Sequence, residues 1–260
     1  MCAYLEAVWR CRYFWLSLVK MDLRARYRGS VLGIGWSLLH PIAMTAIICM
    51  VFCRVFSADL GEYAPFLMAG LTFWNYLVSV SLQGAQCFFQ GEAYIRQHPA
   101  PMAIYPLRTM LGAGFHFGLA LGLVLALAGW VRGFSHPWAL LTLAPTVLLM
   151  LLLGWALATL FGLAMVRFRD TNHLSEVGFQ TLFYLSPVMY KPQMLLERKL
   201  GFLLHANPVT PFLALLREPI LFGEVPGGRT YLAACLIVVA AVGMAAAALR
   251  WEERRLIFHL

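Results

Sequence analysis

Residues 22–56 read DLRARYRGSVLGIGWSLLHPIAMTAIICMVFCRVF. Arg24, Arg26 and Arg28 stand two residues apart, Gly29 follows, and the chain then runs apolar to Phe56. About 20 apolar residues cross the hydrocarbon core of a bilayer as a helix, so this stretch reads as a span with a basic cluster at its start. Trp36, His40 and Pro41 lie in the first turns of that span.

The rest of the chain agrees with a lipid setting. Of 260 residues 61% are hydrophobic and only 12% charged, against roughly a quarter charged in a soluble domain. That much apolar side chain exceeds what one soluble core of this length can hide. The net charge of +8 comes from 17 arginines and 3 lysines. Membrane topology explains that excess better than nucleic-acid binding does. Six cysteines, Cys2, Cys11, Cys49, Cys53, Cys87 and Cys235, show no CxxC spacing and read as inert thiols rather than a disulfide frame or zinc site. Charges interrupt the first thirty residues, which argues against a cleavable signal peptide.

Apolar runs place spans near 31–56, 66–89, 107–131, 139–166, 176–190 and 230–249, the fifth short and ending in Ser186-Pro187. Residues 191–229 hold Pro192, Pro208, Pro211, Pro219 and Pro226. They are too polar to span and too apolar for a free linker, which suits short helices dipping into the membrane surface. Putting both termini on one side gathers thirteen of the twenty Lys and Arg there, so both termini are expected in the cytoplasm. The expected fold is an all-α membrane protein with six transmembrane helices. Residues 1–30 form an N-terminal cytoplasmic interface helix, and 31–260 form the transmembrane domain with short re-entrant helices before the last span.

Several chemistries have no motif here. There is no GxxxxGK[ST] loop to cradle nucleotide phosphates and no GxSxG elbow. No histidines pair at helical metal spacing, and every acid sits at or beyond a span end, away from the usual place of a proton relay. An intramembrane enzyme or a proton-coupled pump therefore has little support.

Other features carry chemistry. Asn75, Ser79, Gln83, Gln86 and Gln90 fall within about 80° of arc on a helix and would form one polar stripe. Such amides and hydroxyls either line a passage for a hydrated polymer or join packed helices. Gly114, Gly118, Gly122 and Ala126, at four-residue spacing, would let another helix approach closely, in this chain or in a second copy. Phe73, Trp74, Tyr76, Trp130, Trp138, Tyr184 and Tyr190 sit at span ends, as interfacial anchors or as rings for sugar stacking. Arg24, Arg26 and Arg28 either fix the topology or meet a phosphate-bearing lipid at headgroup depth. GEAYIRQHPAPMAIYPLR, residues 91–108, is longer than a tight turn and could present a short helix to a cytoplasmic partner.

DLRARYRGSVLGIGWSLLHP resembles the N-terminal signature of the membrane subunits of ABC-2 type polysaccharide exporters, the Wzm-like O-antigen and teichoic-acid permeases. GLTFWNYL at 70–77, RFRDTNHL at 167–174, LSPVMYKP at 185–192, ANPVTPFLALLREPIL at 206–221 and the C-terminal RRLIFHL continue that resemblance in order. It implies a homodimer of this subunit with two copies of a separate ABC ATPase, which would carry the ATP and Mg; no cofactor is implied in this chain. It also implies an inner-membrane location, contact with membrane lipid, a lipid-linked polysaccharide as substrate and no nucleic acid. By the same resemblance, Glu92, Tyr94, Ile95 and Arg96 would couple to the ATPase, and Arg24, Arg26 and Arg28 would admit the lipid phosphate. Trp36, Trp74, Asn75, Tyr76, Ser79, Gln83, Gln86 and Tyr184 are the channel-lining candidates. Export of teichoic acid, capsule or a small amphiphile, and a non-transporting scaffold or receptor, stand as alternatives.

Overall fold

A computed structural model describes residues 2–30, 33–55, 59–97 and 100–253. The final motif, RRLIFHL, lies outside the described residues, as do His98 and Pro99 of the 91–108 connection. Among those described, every regular element is helical. The N-terminal region is two helices, α1 (Cys2–Arg10) and α2 (Arg12–Tyr27), meeting at Cys11. Next come α3 (Gly35–Val55), α4 (Leu60–Ala85), α5 (Cys87–Gln97) and α6 (Ile104–Arg132). A 3-10 turn, Pro137–Thr142, leads into α7 (Leu143–Arg167) and then α8 (Thr171–Leu185). Three short helices follow, α9 (Pro192–Glu197), α10 (Gly201–Ala206) and α11 (Thr210–Arg217), then a π turn, Glu218–Phe222, and α12 (Gly228–Glu252).

Among the described residues five helical segments are long and apolar enough to cross a membrane: α3, α4, α6, the 3-10 turn with α7, and α12. The predicted span at 176–190 is α8, whose 15 residues fall short of the ~20 a crossing takes. Ion pairs show where this part of the chain goes. At one end of the bundle Glu62, in the first turn of α4, lies 3.8 Å from Arg132 at the end of α6 and 3.6 Å from Lys191. At the other end Arg167, closing α7, pairs with Glu252, closing α12, at 2.6 Å. The segment from Arg167 to Lys191 therefore joins the two ends, with the non-helical residues 186–190 making up the length that α8 lacks.

The α9–α11 segment leaves and returns at the Glu62 end. Asn207 donates to Ser186 Oγ at 2.8 Å, and Phe212 stacks on Phe73, fourteen residues along α4 and roughly 20 Å from its start. Arg217 then comes level with Phe66, nearer the start. Its side chain is buried, the residue only 4% exposed, with Nε donating to Phe66 O at 3.3 Å, Nη1 to Pro187 O at 2.6 Å and Nη2 to Val188 O at 2.7 Å. The guanidinium carbon lies 3.6 Å from the centre of the Phe66 ring. A desolvated cation is tolerable at this depth because carbonyls and a ring face take up its donors and its charge. Gly70 leaves the room: a Cβ there would run into Arg217 Nη2.

The centre of the bundle is α4, the least apolar of these spans, with a mean hydropathy of 1.3 over an 18-residue stretch of which 78% is buried. By contrast α3, at 1.9, is 17% buried. Lipid tails are as apolar as leucine, so the helix carrying polar groups is the one driven inward. Close approach between α4 and α7 rests on small residues. A Cβ on Gly84 would strike the Ala158 backbone, one on Gly162 would meet Cys87 and the Gly84 carbonyl, and one on Gly154 would meet the Tyr76 hydroxyl. Gly154, Ala158 and Gly162 thus form the packed ladder of α7. The ladder expected on α6 is placed differently: Gly114 touches Leu151, while Gly118 and Gly122 face open space and Ala126 is exposed.

Candidate functional site

The three arginines of the opening motif do not act as one cluster. A helix turns 100° per residue, so positions two apart point nearly opposite ways and positions four apart align. On α2, Arg24 and the capping Arg28 align with Lys20 along an outer groove that also takes in Ser17, Met21 and Tyr27. Arg26 turns inward, to the space between α2, α4 and α6.

Two spaces with shared walls lie there. The larger, about 450 Å³, is lined by Arg26, Tyr27, Trp36, Ser37, His40, Thr72, Asn75, Tyr76, Ser79, His116 and Phe117, among others. Along one wall Tyr27, Ser37 and His116 share hydrogen bonds, with His116 Nδ1 3.0 Å from each hydroxyl, so α2, α3 and α6 meet through polar groups. Tyr76 is buried, bonds the Met150 carbonyl at 3.3 Å and packs against Phe117 at 4.9 Å. Trp36, 53% exposed, contributes a free ring face. Hydroxyls, an amide, imidazoles and aromatic faces in one cavity suit a ligand with many hydroxyl groups.

The smaller space, about 260 Å³, is lined by Asp22, Arg26, Gln83, Gln90, Arg108, Thr109 and His116, among others. Arg26 and His116 border both spaces. Arg108 grips Asp22 in a bidentate pair that fastens α2 to α6.

The expected polar stripe is not one helix. Asn75, Ser79 and Gln83 belong to α4, the helix breaks at Gln86, and Gln90 sits on α5. Asn75 and Ser79 still face the larger space, and Gln83 and Gln90 the smaller, with Gln83 donating to Ser79 at 2.6 Å. Gln86 lines neither. Trp74 turns away to pack on Phe179 and Phe183 of α8, and Tyr184 lies 67% exposed on α8. Trp36, Asn75, Tyr76 and Ser79 are thus brought together, and Trp74, Gln86 and Tyr184 are not.

On α5, Glu92 and Arg96 pair at 2.9 Å, Tyr94 meets Phe14 of α2 edge-on at 5.8 Å, and Ile95 is buried in a second small core with Val8, Leu163 and Leu249. Beside this core the Tyr4 hydroxyl donates to Glu253 at 2.9 Å and accepts from Ala103 N at 3.3 Å, while Glu253 also accepts from Met102 N at 3.3 Å. Burial pushes the Tyr4 hydroxyl well above its ordinary range, so it keeps the proton it donates. The start of the chain, the α5–α6 connection and the end of α12 are thereby joined.

Asp22, Tyr27, Ser37, Arg108 and His116 also line these spaces and were not among the residues expected from the sequence. Tyr27 and Ser37 lie inside the opening motif itself, where charge and apolar length drew the reading. Arg108 had a detectable signal: a lone arginine at the start of an apolar helix, where ionisable residues are rare and paired.

An ABC-2 type transporter family model matches residues 13–221, most of the chain, and the chain belongs to that family. It is 26% identical over 241 residues to the O-antigen export system permease protein RfbA of Myxococcus xanthus, covering 92% of each chain. To a protein of the same description from Klebsiella pneumoniae it is 24% identical over 207 residues, 79% of each chain. The polysialic acid transport protein KpsM of Escherichia coli is 22% identical over 235 residues, 88% of this chain and 90% of that one.

Proposed function

We propose that this chain is the permease subunit of an ATP-driven exporter that moves a lipid-linked polysaccharide, of the O-antigen kind, across a bacterial inner membrane. The observation that carries the reading is the larger cavity: hydroxyl, amide, imidazole and aromatic groups converge there at membrane depth in an ABC-2 chain. The names of the relatives, O-antigen export permeases and a polysialic acid transport protein, point to the same substrate class.

In this reading two copies enclose the passage, and two ABC ATPase subunits bind the ATP and Mg. Six crossings, counting α8 with residues 186–190, leave both termini in the cytoplasm, on the side richer in arginine. Glu92, Tyr94, Ile95 and Arg96 meet the ATPase. Its closure moves α5 and, through the second core and the Tyr4–Glu253 contacts, α1 and α12. ATP drives transport only because the ATP-bound ATPase favours one arrangement of these elements over the other. Coexpression with an ABC ATPase subunit from the same operon tests this. A complex of two copies of each subunit, with ATP hydrolysis that rises on adding lipid-linked glycan, is expected. Failure to copurify with that ATPase would overturn the reading.

A further inference from the structure

We propose that the smaller cavity is a binding site for a lipid phosphate, with Arg108 as its principal cation and Arg26, Gln83 and Gln90 as further donors. Its connection to the exported glycan rests on the function proposed above; the site itself rests on the following geometry.

The Arg108 side chain is only 9% exposed. Asp22 takes its Nε and Nη2 edge, and Nη1 has no acceptor. Among the described residues it is the only charged group with a buried nitrogen or oxygen left unpartnered. A buried donor on a cation is costly to leave bare, so an arginine held in this way is matched to an acceptor still to come. Arg26, Gln83 and Gln90 bring donors, and the one carboxylate, Asp22, is already committed to Arg108.

Two guanidinium groups against one carboxylate leave one positive charge, which selects an oxyanion over a neutral sugar. Guanidinium geometry suits phosphate oxygens in particular. Depth points to a lipid as the carrier of that phosphate. Arg108 is the fifth residue of α6, roughly 6 Å into the helix, beside the end of α2 where basic side chains sit at headgroup level. Lys20, Arg24 and Arg28, on the opposite face of α2, border an outer groove and do not line this cavity.

The phosphate could belong to a prenyl diphosphate carrier or to a bilayer glycerophospholipid, and the experiment separates the two. The full chain, purified in dodecyl maltoside, is titrated with farnesyl diphosphate, with dioctanoyl-phosphatidylglycerol and with farnesol, and binding is read by native mass spectrometry. Saturable binding of a phosphate-bearing lipid is expected, and none of farnesol. A preference for the diphosphate assigns the site to the glycan carrier; equal binding of phosphatidylglycerol assigns it to bilayer lipid.

Arg108→Gln should weaken binding about tenfold or more, the scale of one charged hydrogen bond. Arg26→Gln should weaken it severalfold, and Arg24→Gln and Arg28→Gln should leave it unchanged. Because Arg108→Gln also strips Asp22 of its partner, Gln83→Leu with Gln90→Leu serves as a second variant that keeps the ion pair; it should weaken binding by about three- to tenfold. Wild-type affinity in both the Arg108 variant and the glutamine pair would overturn the proposal. So would an equal loss in Arg24→Gln and Arg28→Gln, which would reduce the effect to surface charge. Copurification with the ATPase is scored separately, so a failed phosphate site leaves the exporter reading standing, and a failed complex leaves the phosphate site standing.

Discussion

Two ladders of small residues run along neighbouring helices, and only one is used inside the molecule. On α7, Gly154, Ala158 and Gly162 receive the Tyr76 hydroxyl, Gly84 and Cys87 in turn. On α6, Gly118 and Gly122 meet nothing within 4 Å. The spacing is the same, so spacing alone does not create a contact; a partner helix must bring a matching absence of side chain. Helix α4 does so with Gly84 opposite α7, and among the described residues none does so opposite Gly118 and Gly122 of α6.

Filling the used ladder should do the most damage. Gly84→Leu puts a side chain into the Ala158 backbone and should destabilise the bundle by about 3 kcal/mol or more, seen as aggregation or lost monodispersity on size exclusion in detergent. Gly154→Ala is milder. It displaces the Tyr76 hydroxyl from Met150, costs about 1–2 kcal/mol in thermal unfolding and disturbs the cavity floor. Asn75→Leu, between the ladders but facing the cavity, should leave the unfolding temperature nearly unchanged while glycan export falls severalfold in a cell-surface assay. Smallest of all, Gly118→Leu should shift the stability of the single chain by no more than about 0.5 kcal/mol. If Gly118→Leu instead destabilised the isolated chain as much as Gly84→Leu, the contrast between the ladders would collapse.

The same contrast marks what could be read from the residues alone. Five of the six expected spans coincide with long helices because length and hydropathy act locally, and a bilayer enforces them one segment at a time. Segment 176–190 was ambiguous for a physical reason. Its helix stops at Leu185, and the rest of the distance is covered by backbone whose carbonyls at Pro187 and Val188 are satisfied by an arginine thirty residues later. No local pattern announces such a partner.

The site was legible in part. Trp36, Asn75, Tyr76 and Ser79 converge because α3 and α4 are adjacent in the chain and pack directly. Trp74 could not be told from Tyr76 without knowing which way α4 faces, since two residues differ by about 200° of rotation. The equal spacing of Arg24, Arg26 and Arg28 suggested one charged patch, and helical geometry divides it between an outer groove and an inner cavity. Tyr27 meets His116, and Asp22 meets Arg108, only through tertiary packing.

Arg217 has a consequence for how the protein is made. Its three acceptors, Phe66, Pro187 and Val188, all precede it in the chain and are synthesised first. A guanidinium leaves water for the membrane interior only when its new acceptors are already in place. Seating of α11 is therefore a late event in biogenesis, after α4 and the 186–190 segment have met. An insertion intermediate truncated before residue 217 would lack α12 as well, and would hold α3 to α8 with the α9–α11 segment not yet seated.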